Sequence, residues 1–68
     1  MIHGYYERIA RFLRRATHQP VLSDPVYISR MIGLLIASGW TRDQIQREAL
    51  RTEDVIIRED LFPEEVQR

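Results

Sequence analysis

Sixty-eight residues make one domain at most, and the absence of cysteine excludes disulfide staples and thiolate metal sites as supports for so short a chain. With 44% hydrophobic and 29% charged residues the composition is that of a folded domain rather than a disordered tail. A net charge of zero makes it a poor non-specific polyanion binder, because nucleic-acid affinity comes mainly from neutralising phosphates.

Taken along the chain, Ile2, Tyr5, Tyr6, Ile9, Phe12, Leu13 and Ala16 recur at the three-and-four spacing of an amphipathic helix. This predicts a first helix over about residues 2–17, with Glu7, Arg8, Arg11, Arg14 and Arg15 on its opposite, basic face. Pro20 and Ser23-Asp24-Pro25 bracket a linker whose Val21 and Leu22 are expected to tuck under the helices. Ser23 or Asp24 caps a second helix with Pro25 at its first position, where a missing N–H costs nothing, and Gly39 stops it after about residue 38. On the helical wheel Tyr27, Ile28, Met31, Ile32, Leu34, Leu35 and Ile36 span about 200°, twice the apolar stripe of an ordinary surface helix. Such a helix is expected at the centre, covered on two sides. The remaining narrow side carries Ser29, Gly33 and Ala37, small enough for another backbone to approach closely.

After Trp40, Thr41-Arg42-Asp43-Gln44 fits a capping box, and Ile45 falls where it can meet Trp40 as a hydrophobic staple. A third helix over about residues 42–51 comes next, burying Ile45, Ala49 and Leu50. Thr52-Glu53-Asp54 can cap a short fourth helix through Val55 to Leu61; continuation of the third helix and a short strand at Val55-Ile56-Ile57 stay open as alternatives. Pro63 ends that element, leaving a frayed acidic tail over residues 63–68. The expected architecture is therefore all-α, a single small bundle of three or four helices over residues 1–68.

Charge is unevenly spread. Residues 1–34 hold five arginines against two acids, a balance of +3, and residues 35–68 five arginines against eight acids, a balance of −3. A small chain buries only about 60% of its unfolded surface. Together with the wide apolar arc of the second helix, this predicts a homodimer driven by apolar burial and oriented by charge. The longest mainly apolar run, Val26 to Trp40, is interrupted by Arg30 and falls short of the roughly 20 residues a membrane span needs. The N-terminus lacks the charged-then-apolar order of a secretory signal, so a cytoplasmic location is expected.

Catalytic chemistry has little to work with. His3 and Glu7 lie four apart but lack a third metal ligand, and His18 at the end of the first helix fits a cation at the negative end of the helix dipole. Gly4, Gly33 and Gly39 are scattered and form no phosphate loop. The expectation is a non-enzyme with no cofactor and no metal.

Two family resemblances overlap. Met31 to Leu50, with Gly39 at the turn, Leu34 and Trp40 facing inward and Ile45 anchoring the second helix of the unit, resembles a helix-turn-helix. That resemblance implies that Thr41, Arg42, Asp43, Gln46 and Arg47 face a major groove. Leu35, Ser38 and Glu48 depart from the motif's usual small or apolar residues. Tyr27 to Phe62, with Ser38-Gly39-Trp40 as first corner, Ala49-Leu50, and a short element after Glu53-Asp54, is similar to ubiquitin-associated-like three-helix domains. That likeness implies an apolar docking patch at Gly39, Trp40 and part of Ile57 to Phe62, with Ser-Gly-Trp in place of the family's usual methionine-glycine-aromatic corner. The function expected is a small protein-binding regulator or adaptor, for instance an inhibitor of a larger bacterial or phage-targeted complex. Its candidate partner-binding residues are Arg8, Arg11, Arg15, Trp40 and Phe62. The alternative is a transcription regulator reading DNA through Thr41, Arg42, Gln46 and Arg47.

Overall fold

The computed structural model of the chain describes residues 4–63. Among them are three α-helices, α1 (Gly4–Thr17), α2 (Pro25–Ala37) and α3 (Arg42–Glu53), a 3-10 turn at Glu59–Leu61, and no strand, so the fold is all-α.

Each helix end has a local cause. Asp24 holds an extended backbone, and its carboxylate accepts the Tyr27 N–H at 3.0 Å with Pro25 next in line. The corner between α2 and α3 is closed from both sides. Gly39, at φ 107°, donates its N–H to the Ile36 carbonyl and Trp40 donates to the Leu35 carbonyl, each at 3.0 Å, the paired bonds of a Schellman ending that a side chain at Gly39 would strain. The Thr41 hydroxyl then accepts the Gln44 N–H at 3.0 Å, and the Gln44 side chain accepts the Thr41 N–H at 3.3 Å, completing the capping box. α1 and α3 end on non-glycine residues in the left-handed region, His18 at φ 58° and Asp54 at φ 53°. Their N–H groups close onto the carbonyls of Arg14 and Leu50.

α1 packs against both α2 and α3, and α2 packs in addition against the 3-10 turn. The core takes Ile9, Ala10, Phe12 and Leu13 from α1, Ile28, Met31, Ile32 and Leu35 from α2, and Ile45 and Ala49 from α3. Val55, Ile57, Leu61 and Phe62 complete it from the last described segment. Most of the wide apolar arc of α2 is therefore covered within one chain: Tyr27 and Ile36 are half-buried, and Leu34, at 44%, is the exposed member. A Cβ built on Gly33 would lie 3.4 Å from the Pro63 ring, so the close approach that the small residues of α2 permit is made by the chain's own C-terminal segment. Leu50, expected in the core, is 48% exposed, and Leu22, expected to tuck under the helices, is 63% exposed, while Val21 beside it is buried.

The end of the chain differs from the sequence reading. Thr52 and Glu53 belong to α3 instead of capping a new helix; the Thr52 hydroxyl donates back to the Glu48 carbonyl at 2.7 Å, and Glu53 is held by two arginines of α1. Residues 55–58 are neither helix nor strand. Their polar backbone is paired by side chains. The Gln46 amide donates to the Ile57 carbonyl (2.6 Å) and accepts the Ile57 N–H (2.9 Å), so one glutamine does the work of a neighbouring strand. One residue to either side, the Tyr5 hydroxyl donates to the Ile56 carbonyl at 2.8 Å and accepts the Arg58 N–H at 2.9 Å. The tail expected over residues 63–68 lies, beyond Pro63, outside the described residues, as do the first residues assigned to α1.

Candidate functional site

The corner between α2 and α3 carries Trp40, the chain's one tryptophan. Its indole is half-buried, with the Phe12 ring edge-on at 6.2 Å and 68°. This anchors the residue to α1 while leaving part of it in contact with water. A cleft opens on each side of the ring. One, of about 180 Å³, lies against α1 and α3 and is lined by Phe12, Arg15, Ala16, Glu48, Arg51 and Thr52 together with Trp40. The other, of about 200 Å³, lies against α1 and α2 and includes Leu34, Leu35 and Ser38 with Trp40. A large amphipathic ring between two shallow, partly apolar recesses is the arrangement that protein-binding hot spots use.

The arginines expected around it have mostly found partners. Arg11 and Arg15 both reach Glu53, each at 3.2 Å, so the basic face of α1 meets an acid of the second half of the same chain. Arg8 is exposed, with no carboxylate at ion-pair distance among the described residues. Phe62, expected on a docking patch, is 6% exposed instead, lying in the core beneath the Arg42 guanidinium, 4.5 Å above its ring. Tryptophan, not phenylalanine, is the aromatic residue the surface offers here.

The residues that the helix-turn-helix likeness assigns to DNA are likewise engaged. Thr41 caps α3, Arg42 pairs with Glu59 at 2.8 Å, Arg47 pairs with Asp43 one turn back, and both ends of the Gln46 amide are taken by Ile57. Thr41, Arg42 and Arg47 are exposed, whereas Gln46 is half-buried. The clamp formed by Gln46 and Tyr5 has no local sequence signature, since its partners lie 11 and 51 residues away. The one hint is the β-branched run Val55-Ile56-Ile57, whose backbone must be paired by something.

A second polar cluster fixes the linker before α2. The Arg14 guanidinium donates to Glu7 at 2.9 Å and, from two nitrogens, to the Val21 carbonyl at 3.1 and 2.9 Å, while the Ser23 hydroxyl donates to Glu7. Hydrogen bonds from Arg14 first and Ser23 second pull the Glu7 carboxyl from its ordinary 4.5 down to about 2. Glu7, weighed with His3 as a metal pair, is thus already occupied, and His3 lies outside the described residues. Because the folded value is depressed, Glu7 contributes stability at pH above 4.5 that fades as pH falls towards 2. Glu7→Gln is expected to flatten that part of the acid limb while leaving the neutral-to-alkaline profile parallel to wild type, read from urea midpoints across pH.

No described helix is long and apolar enough to cross a membrane. Comparison with known proteins finds no matching family model, no similar curated protein and no similar solved structure.

Proposed function

We propose that the chain is a small non-enzymatic regulator or adaptor of the cytoplasm that acts by docking a helical surface onto protein, with Trp40 as its anchor and a homodimer as its working form. The observation that carries this reading is the half-buried indole between two clefts, with Leu34 exposed at 44% beside it. Leu50 at 48% adds apolar surface on α3 for a second copy.

Trp40 being the sole tryptophan makes the test direct. Sedimentation equilibrium across a wide concentration range is expected to show reversible dimers that Leu34→Asp weakens, with the indole emission moving to shorter wavelength as dimers form. A monomer at every concentration with invariant emission removes the homodimer. For the docking role, affinity capture from the native host is run in parallel with wild type and Trp40→Ala as bait. A partner retained equally by both displaces Trp40 as the anchor.

A second reading, DNA recognition, is favoured by the exposure of Thr41, Arg42 and Arg47 together at the start of α3. Sequence-dependent binding to duplex DNA with a steep salt slope, lost in Arg47→Ala, would move the assignment to that reading.

A further inference from the structure

A larger groove lies between α2 and the segment around the 3-10 turn. Its volume is about 570 Å³, and it shares no lining residue with the clefts beside Trp40. α2 contributes Val26, Arg30 and Gly33, and the C-terminal segment contributes Arg58, Leu61 and Pro63. Each wall brings one arginine and apolar surface, with Ser29 on the α2 side and the Asp60 carboxylate on the other. Gly33 keeps the α2 wall low because it has no side chain, and Val26, 70% exposed, leaves an apolar methyl pair in water along the opening.

The two arginines are differently prepared. Arg58 is braced, its Nε donating to Asp60 at 3.0 Å and its guanidinium lying 5.6 and 5.5 Å from the ring centres of Tyr5 and Tyr6. Bidentate pairing with Asp60 neutralises much of its charge but fixes its position. Arg30 is exposed and, among the described residues, has no acid within ion-pair distance. The groove therefore carries an ion pair of Arg58 with Asp60, the Arg30 cation with no acid beside it among the described residues, and apolar surface between them.

The geometry points to this groove as a docking site for an acidic segment of a partner protein, one in which an apolar side chain is flanked by carboxylates. The apolar residue lies along Val26, Leu61 and Pro63; a carboxylate on one side pairs with Arg30, and one on the other adds to the Arg58 and Asp60 pair. With Asp60 tied to Arg58, the charge left on the groove is that of Arg30, so an acidic segment complements it whereas a second copy of the same face brings the same net positive charge. Because none of these residues borders Trp40, the inference stands or falls separately from the docking role given to that residue.

The test is an NMR amide-shift titration of the full chain with the capped peptide Glu-Glu-Leu-Glu-Glu and its all-glutamine analogue. The expected result is saturable shifts centred on Ser29, Arg30, Gly33 and Leu61 for the acidic peptide and about fivefold weaker binding to Arg30→Ala, the upper range for one exposed ion pair. Leu22→Ala, at an exposed residue outside the groove, leaves the affinity unchanged. Equal binding of the glutamine peptide, shifts centred elsewhere, or no saturable shift overturns the proposal. So does markedly tighter peptide binding by the Glu64→Gln/Glu65→Gln double variant, which would assign the groove to the chain's own last residues.

Discussion

Replacing Ile32 by Asp is expected to leave a chain with no cooperative thermal transition by circular dichroism. Ile32 is fully buried on α2, among the side chains of the hydrophobic core that the described residues form. Losing its apolar volume alone corresponds to a cost of about 2–5 kcal/mol, as for large-to-small core substitutions. A carboxylate placed there must also be desolvated or protonated, adding several kcal/mol, and the described structure holds no buried polar or charged residue to receive it. At the usual 0.05–0.15 kcal/mol per residue, a domain of this size is stable by roughly 3–10 kcal/mol. The substitution therefore exceeds or exhausts the whole margin. Ile32→Val, which removes one methylene, is expected to cost about 1 kcal/mol and keep the transition. Arg11→Ala is expected to change stability by less than about 1 kcal/mol, since Arg11 is exposed and Glu53 retains Arg15. A sharp melt for the Asp variant within a few degrees of wild type would mean that α2 is not part of the core.

The second large effect is expected at Gln46, a residue that surface chemistry alone would class as expendable. Gln46→Ala removes both partners of the Ile57 main chain, and Ile57 is only 1% exposed, so water reaches the freed groups poorly. At about 1–3 kcal/mol for each of the two unsatisfied buried groups, the expected loss is about 2–6 kcal/mol, read as a drop in the urea midpoint. The Ile57 amide should also lose its protection from hydrogen exchange before the amides of α1 do. Gln46→Glu discriminates further. Ionised, it still accepts the Ile57 N–H but sets a negative oxygen against the Ile57 carbonyl; protonated, it can donate as the glutamine does. Its folded-state carboxyl is thus raised in pKa, and its deficit relative to wild type should shrink as pH falls and grow as pH rises through that value. A Gln46→Ala variant as stable as wild type would show that the contact adds nothing beyond what water supplies.

These two positions mark where the sequence was informative and where it was not. The start and stop of α2 and the start of α3 were legible because each rests on residues within four positions of one another: Asp24 with Tyr27, Gly39 with Ile36, Thr41 with Gln44. Ile32 was legible as core because the apolar positions of α2 repeat at helical spacing. The last segment was not, since Val55 to Ile57 takes its conformation from Gln46 and Tyr5, contacts that no local pattern encodes. The same distance hid the fate of the charges. An imbalance of +3 against −3 is visible in the chain, but that Arg11 and Arg15 converge on Glu53, 42 and 38 residues away, depends on how α1 lies on α3. At the candidate site Trp40 could be singled out by type and position, while the burial of Phe62 and the groove uniting Arg30 with Arg58 required the folded chain.

The way Gln46 and Tyr5 occupy the backbone around Ile57 also bears on how the protein behaves when crowded. Val55-Ile56-Ile57 is a β-branched stretch with Ile56 67% exposed, the kind of segment on which neighbouring chains nucleate cross-β aggregates through open main-chain edges. With the Ile56 and Ile57 carbonyls and the Ile57 and Arg58 amides already bonded by side chains of its own molecule, the segment offers few free main-chain groups for strand addition. Protection of this segment against strand addition thereby rests on a glutamine and a tyrosine hydroxyl in addition to the charged residues, Asp54 and Arg58, that flank it.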